Sequence, residues 1–120
     1  DNLHTLVFGW QFNKIIKCNV LPGNLHTLIF GWSFSQIIQP NSLPNSIHTL
    51  EFGYYFNEEI KPNMLPNNLH TLVLGFYFNK EIKCSVFPAS LRILKCLRKV
   101  KDTLLEEDVV LQNLEIIVTD

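Results

Sequence analysis

The chain has 120 residues, of which 47% are hydrophobic and 18% charged, a balance that fits one folded domain and excludes a disordered or tail-like segment. A net charge of −1 removes the electrostatic case for nucleic acid or an anionic membrane. No apolar run approaches the ~18 residues of a membrane span, and no basic-then-apolar leader suggests a signal peptide.

One period runs through most of the sequence. His4, His26, His48 and His70 lie 22 residues apart, as do Gly9, Gly31, Gly53 and Gly75, and Pro22, Pro44, Pro66 and Pro88. The first and fourth units share 14 of 22 positions. Such a period marks a repeat architecture, in which each unit is one coil and stability comes from stacking.

Within the first coil, Leu3, Leu6 and Phe8 mark a short strand. Alternation points Leu6 and Phe8 inward, so Thr5 and Val7 point outward. Gly9 ends the strand, and the expectation is a backbone angle that other residues dislike. Phe12 and Ile16 return to the core, and Leu21-Pro22 closes the coil at a turn that needs no ladder donor. Twenty-two residues leave no room for a long helix in each coil. The expected fold is mainly β, a right-handed solenoid with one parallel sheet and irregular structure opposite it.

A fifth coil is degenerate. Counted from Leu91, the apolar offsets fall on Leu91, Leu94, Cys96, Val100 and Leu104. One extra residue is expected before Leu114 opens a last strand, Leu114 to Val118. Leu97 to Leu111 reads as a weak helix candidate, because Arg98, Lys99 and Lys101 at its start and Glu106, Glu107 and Asp108 near its end oppose the helix dipole. Residues 91–120 are therefore read as a C-terminal cap on four repeats over 1–90. Nothing comparable precedes Leu3. Leu6, Phe8, Phe12 and Ile16 are expected to face solvent there, inviting upstream coils or self-association at the uncapped N-terminal end.

The pattern L-x-x-L-x-F-G-x-x-F-N-x-x-I…L-P resembles the FNIP repeat, a short relative of the leucine-rich repeat. Phe12-Asn13 to Ile16, Phe34-Ser35 to Ile38, Phe56-Asn57 to Ile60 and Phe78-Asn79 to Ile82 carry the likeness. Ser35 replaces the asparagine once, and Ile15, Ile37, Glu59 and Glu81 stand where the family often has proline. The resemblance implies a leucine-rich-repeat-like solenoid from amoebae or their giant viruses. It also implies an interaction module without enzymatic activity or cofactor, sometimes joined to an F-box that these residues lack.

The histidines should stack at about 4.8 Å, the strand spacing. Identical rings in a column do not converge as metal ligands must, so the reading is a structural ladder of neutral imidazoles. Cys18 and Cys84 fall three coils apart, roughly 14 Å, beyond disulfide reach. Cys96 takes an inward place. Reduced cysteines favour a cytoplasmic setting, host cytoplasm or virion if the chain is viral. Two asparagine columns, Asn13/Asn57/Asn79 and Asn19/Asn41/Asn63, are expected to satisfy turn backbone. Glu58 and Lys80 are expected to pair across coils.

The outward sheet face stands apart. Thr5, Thr27, Thr49 and Thr71 form one column; Val7, Ile29, Glu51 and Val73 form the next. A solvent-facing sheet should carry more polar residues than this. Tyr55 and Tyr77 lie beside it as exposed aromatic anchors, while the Trp10, Trp32, Tyr54, Phe76 column reads equally as core edge or surface. These columns, excluding the Trp10 column, are the expected binding residues. The expected function is a non-enzymatic scaffold that binds another protein, in a narrower form a substrate-recruiting arm. The alternative is a structural part of a virus particle or other large assembly.

Overall fold

The computed structural model describes residues 4–104 and 113–120. Among the described residues its strands are β1 (Thr5–Val7), β2 (Thr27–Ile29), β3 (Thr49–Glu51), β4 (Thr71–Val73), β5 (Ile93–Cys96) and β6 (Glu115–Val118), and its α-helix is α1 (Arg98–Thr103). The strands form a single sheet in the order β1 to β6. Every neighbouring pair is parallel. Chain order and sheet order coincide, so each coil returns beside its predecessor, as a solenoid requires. The molecule is an elongated stack, 41 × 26 × 20 Å.

Alternation decides which side chains enter the core. Leu28, Leu50, Leu72 and Leu94 are fully buried at the strand centres. The residues on either side of each are less buried. The inward columns after the strand build a double ladder of phenylalanines. Along the stack, Phe8, Phe30 and Phe52 follow one another at 5.3 and 5.5 Å between ring centres. Phe12, Phe34, Phe56 and Phe78 follow at 6.0 to 6.1 Å. Within a coil the two columns touch, Phe30 lying 3.9 Å from Phe34 and Phe52 the same distance from Phe56. Burying a ring of this size contributes about 1.5–3 kcal/mol. No single coil could enclose its own rings.

The fifth coil keeps register in its core: Leu91, Leu94, Cys96, Val100 and Leu104 are all buried. The expected extra residue before Leu114 is not there. Ile93 pairs with Glu115 and Leu94 with Ile116, a separation of 22. Ile116 and Val118 consequently take the inward places, and Ile117 is exposed. The apolar run Ile116-Ile117-Val118 fits either register by pattern, and a one-residue slip exchanges the two faces. Strand pairing selects the unbroken period. The first part of the weak helix candidate forms α1, whose Val100 is buried; Leu105 to Leu111 lies outside the described residues.

The glycine column has a different cause from the expected one. No glycine has positive φ. A Cβ at Gly53 would instead collide with the backbone carbonyl of Gly31, and one at Gly75 with that of Gly53. Glycine is needed because the coils approach too closely there for any side chain. The left-handed turn belongs to Asn19, Asn41 and Asn63, with φ of 67°, 67° and 68°. Asparagine tolerates that region better than other residues with a side chain. In the fourth coil the same place holds Ser85, and the chain makes a 3-10 turn over Cys84–Val86 instead.

At the β1 end, Leu6, Phe8 and Phe12 pack against the core and are half-buried, so the expectation that they face solvent holds only in part. Ile16 is a correction. It is buried, because it packs sideways against the interior of the stack.

Candidate functional site

Each coil positions its surface residues with the same set of backbone bonds. The amide of His48 donates to the carbonyl of His26, and that of His70 to His48, both at 2.8 Å. After each strand, Phe30 N–H donates to Glu51 O and Phe52 N–H to Val73 O. Further on, Ser33 N–H donates to Trp10 O, Tyr55 N–H to Trp32 O and Tyr77 N–H to Tyr54 O, at 2.9 to 3.0 Å. Inter-coil pairing therefore continues past the strands and fixes the residues that follow glycine.

The outward columns point as the alternation requires. Thr5 and Val7 are exposed, and Thr27, Ile29, Thr49, Glu51, Thr71 and Val73 are half-exposed. Register places each directly opposite its counterpart one coil on. No described element covers this face. Its later positions become charged, with Lys95 paired in register to Val73 and Glu115 to Ile93.

Sequence reasoning named Tyr55 and Tyr77 but left the rest of the larger feature beside this face undecided. Trp10, Trp32, Tyr54 and Phe76 are all exposed, Trp10 to 64% and Trp32 to 58%. Tyr55 and Tyr77 are exposed as well. Phe56 N–H donates to Gly53 O, and Phe78 N–H to Gly75 O. Each Gly-aromatic-x-Phe segment is thus a β-turn whose two central residues project away from the core. A glycine followed three residues later by a buried phenylalanine was the available signal. From Trp32 onward the rings form one continuous ridge: Trp32 stacks on Tyr54 at 5.3 Å, Tyr54 on Phe76 at 5.2 Å, and Tyr55 on Tyr77 at 5.0 Å. The two columns meet edge to face, with Tyr54 and Tyr77 at 90°, a favoured aromatic arrangement.

The other candidate chemistry resolves into structure. His26, His48 and His70 stack at 4.9 and 4.6 Å. Burial, together with the flanking His70 and His26, lowers the His48 pKa, since protonation would place like charges together. The ring Nδ1 of His70 lies 3.0 Å from the Thr71 hydroxyl. Among the described residues, no three His, Cys, Asp or Glu are placed to hold a metal ion. Cys18 is free and exposed, while Cys96 is free and buried. Burial pushes the Cys96 thiol up to about 11. The asparagine column works through backbone amides: Ser35 N–H donates to Asn13 Oδ1, and Asn79 N–H to Asn57 Oδ1. Ser35 substitutes in kind, its hydroxyl accepting from Asn57 N–H. That hydroxyl also donates to Glu58 Oε2, so Glu58 bonds to the preceding coil and not, as expected, to Lys80 in the next.

Comparison with known proteins agrees with this geometry. No curated protein matches the chain. A solved structure, the circular LRR protein CroV588 of a giant virus, superposes with a TM-score of 0.90 at 42% identity. The match covers 98% of this chain and 17% of that protein, so the chain spans about a sixth of its length. The FNIP Repeat family matches residues 1–31, 12–55 and 56–95. With the 22-residue coil, the glycine and asparagine columns and the parallel sheet all in place, the chain belongs to the FNIP repeat family.

Proposed function

We propose that this FNIP segment is a non-enzymatic interaction module whose outward sheet face binds another protein. One observation carries the reading: the Val7, Ile29, Val73 column stands on a hydrogen-bonded sheet that no described element covers, with Val7 60% exposed. An apolar column on a solvent face gains by being covered, and a fixed backbone limits the ordering cost of binding. The threonines beside it supply hydroxyls for orientation. Glu51 interrupts the apolar column and gives a partner one charge to match.

A narrower version makes the module a substrate-recruiting arm. The competing version makes it a permanent part of a virus particle or other assembly, and the likeness to CroV588 favours a viral setting for either. A pull-down from cell lysate with the native chain and with Val73→Lys tests the common claim. A partner held by the native chain and lost from the variant, at unchanged melting temperature, supports it. Equal capture by both chains removes the sheet face from the interaction. A stoichiometric lattice that co-purifies with the chain favours the assembly version.

A further inference from the structure

We propose that the aromatic ridge pairs with the ridge of a second copy of this chain, packed antiparallel about a two-fold axis through Tyr54. This surface is distinct from the outward sheet face. The six aromatics are between 36% and 64% exposed. At about 150–250 Å² each, they present on the order of 600 Å² of mostly apolar surface. That is the upper end of what a monomer's largest patch reaches. It approaches the ~800 Å² per partner that a stable complex covers.

Three features select a copy of the same chain as the occupant. The first is period. From Trp32 through Tyr54 to Phe76 the rings repeat at 5.3 and 5.2 Å, so an antiparallel copy offers the same spacing over these three, and one good ring contact brings the other two with it. The second is charge. Through the first four coils the two columns read Trp10, Trp32, Tyr54, Phe76 and Gln11, Ser33, Tyr55, Tyr77, with no charge at neutral pH. Two identical surfaces can therefore meet without like-charge repulsion, which is what usually prevents self-pairing of a surface. The third is polarity along the ridge. In the fifth coil the same register positions hold Arg98 and Lys99, both exposed. A two-fold axis at Tyr54 sets Tyr54 against Tyr54, Trp32 against Phe76, and Trp10 against Arg98 of the second copy. A guanidinium against an indole is a favourable cation–π pair. Parallel packing would instead place Arg98 against Arg98. The ridge thus specifies direction as well as partner, and a two-fold interface closes at two copies.

Sedimentation velocity on the full chain across micromolar concentrations tests this. A reversible monomer–dimer equilibrium is expected. Tyr54→Lys, which sets lysine against lysine at the axis, should raise the dimer dissociation constant by about thirtyfold or more, the scale of a central hot spot. At concentrations where both chains are monomeric its melting temperature should stay within a few degrees of native (about 1 kcal/mol of lost ring contacts); Trp32→Lys serves the same purpose should Tyr54→Lys unfold. Trp10→Ala and Arg98→Ala should weaken the dimer equally, and the double variant no further, as for two halves of one contact. A chain that stays monomeric, a dimer indifferent to Tyr54→Lys, or growth beyond two copies would each overturn the proposal. So would a dimer abolished by Val73→Lys alone, since that variant leaves the ridge untouched.

Discussion

Alanine at the glycine column should give opposite results at two equivalent positions. At Gly53 a Cβ meets the carbonyl oxygen and carbon of Gly31 inside any attainable contact distance. The obstacle is backbone, so no rotamer change relieves it. Restoring ordinary van der Waals separation means parting the second and third coils by on the order of 1 Å. The bonds nearest the site, Phe30 N–H to Glu51 O at 2.8 Å and Tyr55 N–H to Trp32 O at 3.0 Å, would then pass the limit of a hydrogen bond. Losing both at about 1 kcal/mol each, with about 1–3 kcal/mol of packing strain, puts the cost of Gly53→Ala near 3–5 kcal/mol. For a domain of this size that is a fall of about 12–20 °C in Tm. At Gly9 nothing lies within 4 Å of the added Cβ, and no glycine has positive φ. Gly9→Ala should accordingly be neutral or stabilising by up to about 1 kcal/mol, through loss of unfolded-state freedom. Urea and thermal melts of the two variants beside the native chain decide the matter. Equal destabilisation at both positions would show that glycine is required for its backbone angle, and the close-approach argument would fail.

Other expectations are separately measurable. At Asn41, with φ of 67°, Asn41→Gly should be nearly neutral and Asn41→Ala should cost about 1–2 kcal/mol, read by the same melts; equal costs would exclude the left-handed turn as the cause. Because the folded pKa of His48 is lowered, the unfolded chain binds protons first on acidification. The stability this group contributes is therefore full above the unfolded value of about 6.5, and declines as pH falls from there through the folded value. Denaturant melts near pH 7.5 and near pH 5.5 (roughly one unit to either side) should show a smaller pH response in His48→Gln, and an undiminished response would remove the ladder from the explanation. Iodoacetamide at neutral pH should label Cys18 in the folded chain and Cys96 only after unfolding, the exposed thiol being free and the buried one held protonated; early labelling of Cys96 by peptide mass spectrometry would contradict its burial.

The parts of the fold readable from sequence were those repeated most often. Leu28, Leu50 and Leu72 follow from alternation alone, and four copies of Phe12-type residues leave little doubt which side is the core. Where repetition stops, the reading slips. Leu114, Ile116, Ile117 and Val118 are all apolar, so hydrophobicity could not choose between neighbouring registers; pairing with β5 did. The Trp10 column was ambiguous for a related reason. It follows the glycine, where strand alternation has ended, and a turn has no period from which to read inside and outside. Gly53 misled because two unrelated demands, an unusual backbone angle and a lack of space, select the same residue. Only the position of the Gly31 carbonyl separates them.

The ring spacings bear on the shape of any partner of the proposed sheet face. Histidines beside the sheet repeat every 4.6 to 4.9 Å, the inner phenylalanines every 5.3 to 5.5 Å, and the phenylalanines farther from the sheet every 6.0 to 6.1 Å. Each coil is therefore a wedge, narrow on the sheet side, and the stack bends toward the outward face of its own sheet. Threonine and valine columns lie on the inside of that bend, where neighbouring coils converge. A flat surface laid across them would touch only at its ends. A partner of the proposed face would have to be convex, a single helix or a rounded loop, and every coil traversed adds the same increment of bend, so the number of coils engaged would gauge how sharply such a partner is curved.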